Sequence, residues 1–351
     1  MVMKRLLMIL IAAWGLAGAI PAVIAQGPAT NEKVTLHGAG ATFPAPLYQR
    51  WFDVYAKLNP NVIINYDAVG SGEGVKRFLA NTVDFGASDS ALNDEEIAQA
   101  KAGATLIPAT AGILALAYNL PEIKETQTLK LSRDVYADIF LGKIRHWNDP
   151  RIQALNPDLK LPKQVITLVA RQDSSGTTYA MTHHLSAISE EWRRGPGTGR
   201  VVDWPSIHMK VPGNEGVAGR IKNSWGSIGY VQYGFARRLK LPMAVLENRA
   251  GRYVEPSFEG GRAAIAANLH QVPGNLRIFM PDPEGENSYP IISLTWLLLH
   301  DRLDNPAKGA ALKDFINWAL TDGQSYNIEM GYVPLPASMV ELARAALGRT
   351  Q

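Results

Sequence analysis

None of the 351 residues is cysteine. A disulfide scaffold, a thiolate zinc site, a catalytic thiol and a lipidated cysteine behind a leader are excluded together. Charge of one sign is scarce too. Lys and Arg number 35 and Asp and Glu 32, leaving +3, which is too small and dispersed for a nucleic-acid surface. Repeats and low-complexity tracts are missing, and 46% apolar with 19% charged residues is an ordinary globular balance. At roughly 150 residues per domain, the length calls for about two domains.

Long apolar runs are lacking beyond the start of the chain. Lys4 and Arg5 precede the apolar stretch Leu6 to Leu16, and Val23-Ile24-Ala25 ends on a small residue, the pattern of a cleaved secretory leader over 1–25. Gly15, Gly18 and Pro21 interrupt the stretch before the roughly 20 apolar residues of a membrane span are reached. Ile291 to Leu299 has the length of a buried strand. An exported, soluble product is expected, free in a periplasm.

Familiar catalytic and cofactor motifs are also missing. A dinucleotide fingerprint would need glycine where Phe43 and Val75 stand, and neither glycine-rich loop ends in the Gly-Lys-Ser/Thr of a Walker motif. Gly86-Ala87-Ser88-Asp89-Ser90 lacks the final glycine of a nucleophile elbow. The adjacent His183 and His184 point to different sides of a helix, and His37, His146, His208, His270 and His300 are scattered, so no metal site is expected. Trp192, Trp204, Trp225, Trp296 and Trp318 sit among apolar neighbours and are expected to be buried.

What is present is alternation. Val34–Leu36, Val62–Tyr66, Phe85–Ala87, Ile113–Tyr118, Ile166–Ala170, Ile228–Val231, Met243–Leu246 and Ile291–Leu299 read as strands, with amphipathic helical stretches between them. Leu312, Phe315, Ile316, Ala319 and Leu320 recur at helical spacing, and Asn93 with Glu96 forms a capping box. This is an α/β pattern with sheets covered on both faces. Gly195-Pro196-Gly197, Pro212-Gly213 and Pro281 to Gly285 read as surface loops, and none is long enough to be a flexible linker.

Three strand-to-helix junctions collect small residues and hydroxyls: Gly38 to Pro44, Gly70 to Gly74, and Arg171 to Thr178. Each offers helix N-terminal amides, and together with Arg171 they can meet one tetrahedral oxyanion. A lone Ser or Thr before a helix is ordinarily an N-cap. The convergence of three junctions with an arginine points to an anion site.

At these residues the chain resembles the periplasmic phosphate-binding proteins of phosphate-specific ABC importers. The segments GAGATFPAPL (38–47), 70–76, NTVDFGASD (81–89) and 173–178 carry the resemblance, joined by YADIFLGKIRHW (136–147), 227–231 and 331–336. It implies a two-lobed α/β binding-protein fold, each lobe a mixed sheet flanked by helices and joined by two crossing hinge segments. Lobe I would hold 26–111 plus 289–351, and lobe II 112–288. The implied phosphate contacts are Thr42, Phe43 through its amide, Ser71, Asp89, Arg171, Ser175, Gly176 and Thr177, with Asp173 pairing with Arg171 from behind. An ionised Asp89 would accept a hydrogen bond from a ligand that keeps a proton, as phosphate does and sulfate does not. The resemblance further implies no cofactor, no catalysis, a monomer, and a membrane permease as partner. Two residues depart from the family pattern: Glu73, expected to face solvent, and Ser174, where glycine is common. The rival readings are an exported phosphatase using Ser71, Ser88 or Ser175 as nucleophile, and a phosphate-binding lobe used for sensing or adhesion.

Overall fold

The computed structural model describes residues 33–206 and 209–350, so the leader expected over 1–25 and His208 lie outside the described residues. Among the described residues the strands are β1 (Val34–Gly40), β2 (Val62–Ala68), β3 (Phe85–Ser88), β4 (Thr105–Tyr118), β5 (Lys130–Leu131), β6 (Thr167–Arg171), β7 (Met209–Val211), β8 (Ser227–Gln232), β9 (Val245–Glu247), β10 (Tyr253–Val254) and β11 (Ile292–Leu299). Eight of them form one sheet in the order β2-β1-β3-β11-β4-β8-β6-β7, and the other three form a small sheet, β10-β9-β5.

The large sheet is mixed. β1 runs parallel to β2 and β3, and β6 runs parallel to β7 and β8. Between the two parallel groups lie the antiparallel strands β11 and β4. Parallel neighbours need a crossover, which the helices Ala45–Leu58 and Ser71–Leu79 supply between β1, β2 and β3. The first of these helices buries Leu47, Tyr48, Trp51, Phe52 and Tyr55, the three- and four-residue spacing of one helix face.

β4 changes partners along its length. Thr105 to Ile113 pair with β11, and Leu114 to Tyr118 pair with β8. One strand thus links the two halves of the sheet. On the β6–β8 side, Val217, Ala218, Ile221, Phe235 and Ala236 from the helices Gly213–Lys222 and Tyr233–Arg238 pack against Ala117, Val169 and Val231. No described helix is long and apolar enough to cross a membrane.

The expected helix around 312–320 is Pro306–Leu320, and the Asn93–Glu96 capping box is formed in both directions. Trp192 and Trp296 are buried as expected, Trp204 and Trp318 are only half-buried, and Trp225 is exposed. Its indole N–H reaches the Glu122 carboxylate at 3.1 Å, a polar surface contact that replaces burial.

Candidate anion-binding site

Two groups of parallel strands, β1 to β3 and β6 with β7, deliver their carboxyl ends to one place, where α/β sheets form their crevices. From β1 the chain passes through Thr42 and Phe43 into the helix Ala45–Leu58. Phe43 is an anchor: its buried ring packs edge-on to Tyr332, whose hydroxyl donates to the Phe43 carbonyl at 2.6 Å. From β2 the chain turns at Gly70, whose φ of +95° favours glycine, into a helix beginning at Ser71. From β3 comes Asp89, and from β6 Arg171 followed by the turn into the helix Gly176–Ile188.

Ser71, Asp89, Arg171, Ser175 and Thr177 are all buried, and Thr42 and Asp173 are partly so. Ser71 Oγ accepts from the Asp89 amide at 3.2 Å, and Thr177 Oγ1 donates to Asp89 Oδ2 at 3.3 Å. Arg171 Nη1 donates to Thr177 Oγ1 at 3.3 Å. The guanidinium is gripped from behind by Asp173: Nε meets Oδ1 at 2.8 Å and Nη2 meets Oδ2. Gly176 is required by close approach, since a Cβ there would lie 2.5 Å from Ser71 Oγ and 2.7 Å from Asp89 Cβ. Ser175 Oγ caps its helix by accepting from the Thr178 amide at 3.1 Å. The structure therefore brings all eight expected contact residues and Asp173 together.

Electrostatics separate the two acids. Burial pushes the Asp89 carboxyl up to about 7, against the opposing effects of Thr295, Arg171 and Thr177. The Arg171 charge and the hydroxyl hydrogen bonds favour the ionised form, the one that can accept a proton from a ligand. Its Oδ1 has no hydrogen-bond partner in the protein. Burial would raise Asp173 as well, but the Arg171 hydrogen bonds and charge, with the Gly213 amide, hold it below the usual carboxylate range. An unpartnered buried carboxyl oxygen surrounded by an arginine, hydroxyls and helix N-termini suits a ligand that is anionic yet carries a proton to donate.

A profile of the PBP superfamily domain matches residues 26–323. The chain is 40% identical over 316 residues to a phosphate-binding protein PstS of Pasteurella multocida, covering 90% of each sequence. It is 37% identical over 343 residues to the PstS of Methanocaldococcus jannaschii, covering 91% of this chain and 88% of the other. This chain belongs to the PstS family of phosphate-binding proteins. Among solved structures, a phosphate-binding protein from Stenotrophomonas maltophilia superposes with a TM-score of 0.71 at 20% identity, covering 89% of this chain and 94% of that one. A high-affinity periplasmic phosphate-binding protein, PfluDING, bound with phosphate, gives 0.68 at 19% identity over 89% and 93%. These likenesses establish the two-lobed α/β fold.

The two departures from the family pattern have physical explanations. Glu73 turns away from the site and pairs with Arg77 at 2.9 Å and Lys76 at 3.6 Å; chiefly the Arg77 hydrogen bond lowers its pKa. The Ser174 carbonyl accepts from the Gly72 amide at 2.9 Å, tying the second junction to the third.

A fourth junction, read as a surface loop in the sequence, belongs to the site. Pro212 is exposed as expected, but Gly213 donates its amide to Asp173 Oδ1 at 3.0 Å and Asn214 is fully buried against Thr42 and Thr177. The feeding strand β7 has only three residues, which leaves no alternation to read. The one available signal was a Gly-Asn pair opening a helical stretch.

Proposed function

We propose that the protein binds inorganic phosphate in the periplasm and delivers it to the membrane permease of an ABC importer, acting as a monomer and without catalysis. The phosphate contacts in this reading are Thr42, the Phe43 amide, Ser71, Asp89, Arg171, Ser175, Gly176 and Thr177, with Asp173 holding Arg171. The observation that carries it is the unpartnered Asp89 Oδ1 enclosed among donors from five strand ends. Membership of the PstS family supports the ligand and the transport role.

The proposed lobes are 26–111 plus 289–351, and 112–288. Their support is the change of partner within β4 between Ile113 and Leu114, together with the Leu114 amide bonding to the Ile291 carbonyl at 2.9 Å. The phosphatase reading finds less support, because its candidate nucleophiles are engaged with backbone. Ser88 Oγ donates to the Ser90 carbonyl at 2.6 Å, Ser175 caps a helix, and Ser71 accepts from the Asp89 amide.

Calorimetric titration of the protein with phosphate, sulfate and phosphite tests the binding. Saturation by phosphate at concentrations where sulfate gives no heat is expected, and equal response to both anions would overturn the assignment. Hydrolysis of a chromogenic phosphate ester would favour the enzyme. Phosphate uptake that survives deletion of the permease would favour a sensing or adhesive role.

A further inference from the structure

Asn214 is fully enclosed beside the two threonines of the site, with its hydrogen-bonding groups committed. Its Oδ1 accepts from the Gln232 amide at 3.0 Å. A backbone N–H only donates, so this contact fixes which end of the carboxamide is oxygen and which is nitrogen. Nδ2 then donates to Thr42 Oγ1 at 3.0 Å and to Thr177 Oγ1 at 3.1 Å, using both of its protons. Each threonine receives a second donor as well: the Asn214 backbone N–H reaches Thr42 Oγ1 at 3.1 Å, and Arg171 Nη1 reaches Thr177 Oγ1 at 3.3 Å. A hydroxyl oxygen has two acceptor positions and one proton. At both threonines the acceptor positions are filled, and each hydroxyl has only its proton to offer.

We infer that Asn214 is a positioning residue of the anion site, which fixes the Thr42 and Thr177 hydroxyls as donors. This inference rests on the phosphate reading and deepens it. A freely rotating hydroxyl can serve a protonated oxygen as acceptor or a deprotonated one as donor. With rotation blocked, Thr42 serves a deprotonated ligand oxygen only, Thr177 directs its proton to Asp89 Oδ2 at 3.3 Å, and a ligand proton is left to the unpartnered Asp89 Oδ1. Asn214 has no side-chain proton left for the ligand, so it acts through the threonines. It also ties the β7 junction to the β1 and β6 junctions, so the hydroxyls are fixed only when those three strand ends are together.

Two phosphate titrations separate this role from simple packing. Asn214→Ala is expected to weaken phosphate binding about ten-fold in the parent, but less than two-fold in a Thr42→Val/Thr177→Val background, where no hydroxyl remains to be oriented. A ten-fold loss in both backgrounds, or no loss in the parent, overturns the inference. Asn214→Leu, which fills the space instead of leaving a cavity, runs the same cycle if the truncation prevents folding. The parent supplies an independent reading: in its phosphate complex the Thr42 hydroxyl proton should show a through-bond NMR correlation to phosphorus, and a Thr42 hydroxyl proton without one counts against Asn214. Phosphate binding by the parent carries the functional reading itself, so a parent that ignores phosphate fails in a different way from a cycle that is additive.

Discussion

Asp89 and Arg171 share one enclosure and make opposite demands on a ligand: the arginine needs negative charge, and the carboxyl needs either a proton to accept or one to give. The Asp89 carboxyl titrates at about 7 because burial penalises its charge. Raising an acid's pKa means that lowering pH through about 7 converts it from an acceptor into a donor. Sulfate has no titration of its own in this range, so its affinity for the parent should rise about ten-fold from pH 8 to pH 6. Asp89→Asn keeps the shape and supplies an amide donor at every pH. It should abolish that dependence and narrow the phosphate-to-sulfate ratio, as competition titrations at fixed ionic strength would read. A pH-independent sulfate affinity in the parent, or an unchanged ratio in the variant, would remove Asp89 as the discriminating group. Arg171→Ala deletes a charge-assisted donor worth about 1.5–3 kcal/mol and should weaken phosphate roughly ten- to a hundred-fold. Circular dichroism would verify that the variant stays folded, and an unchanged titration curve would take Arg171 out of the site. Arg171 was legible as the arginine opening a strand-to-helix junction rich in hydroxyls, whereas Asp89 was reached only through the family resemblance. Asn214 was not legible, since a polar residue after Pro-Gly has the ordinary appearance of a turn.

Secondary elements were legible in proportion to their length and regularity. β2, β3, β6, β8 and β11 match their apolar runs closely. β4 was read only from Ile113, yet it begins at Thr105. Pro108 and Gly112 argue against a strand there, and the sheet accommodates Pro108 with a register shift opposite Thr295 and Trp296 in β11. β5, β7 and β10 have two or three residues and carry no periodic signal. The short helix Asp94–Gln99 shows how one element serves two ends: Glu96 caps it through the Asn93 amide and also pairs with Arg200, Nη1 at 2.5 Å and Nη2 at 3.0 Å. Arg200 Nε reaches Ser90 Oγ next to Asp89. This bidentate pair joins the two proposed lobes and is mostly buried, so it should hold the closed form by about 1 kcal/mol. Arg200→Ala is expected to speed phosphate release about five-fold while leaving the association rate nearly unchanged. Glu96→Gln, which preserves the helix cap, should reproduce the effect. Stopped-flow measurements would detect it, and identical release rates would show that the pair is not a latch.

At the scale of the whole molecule the site raises a problem of access. Ser175, Thr177 and Asn214 are fully enclosed, and the Ser174–Gly72 and Arg200–Glu96 contacts link the two proposed lobes. In the proposed two-lobe reading, a ligand reaches these donors when the two groups of parallel strands move apart. The connections available for such a motion are the partner switch in β4 and the segment entering β11, because there the chain passes from one group to the other. A protein that admits phosphate must therefore populate an open form without it, and the ligand shifts the balance toward closure by its preference for the closed one. Small-angle scattering should then give a smaller radius of gyration with saturating phosphate than without. The melting temperature should rise in parallel, corresponding to about 2.7 kcal/mol of added stability at a free concentration a hundred times the dissociation constant. Sulfate at the same ionic strength is the control for general salt effects. Stabilisation without compaction would mean that phosphate reaches the donors by a local opening, with the β4 crossing acting as a rigid strut between the lobes.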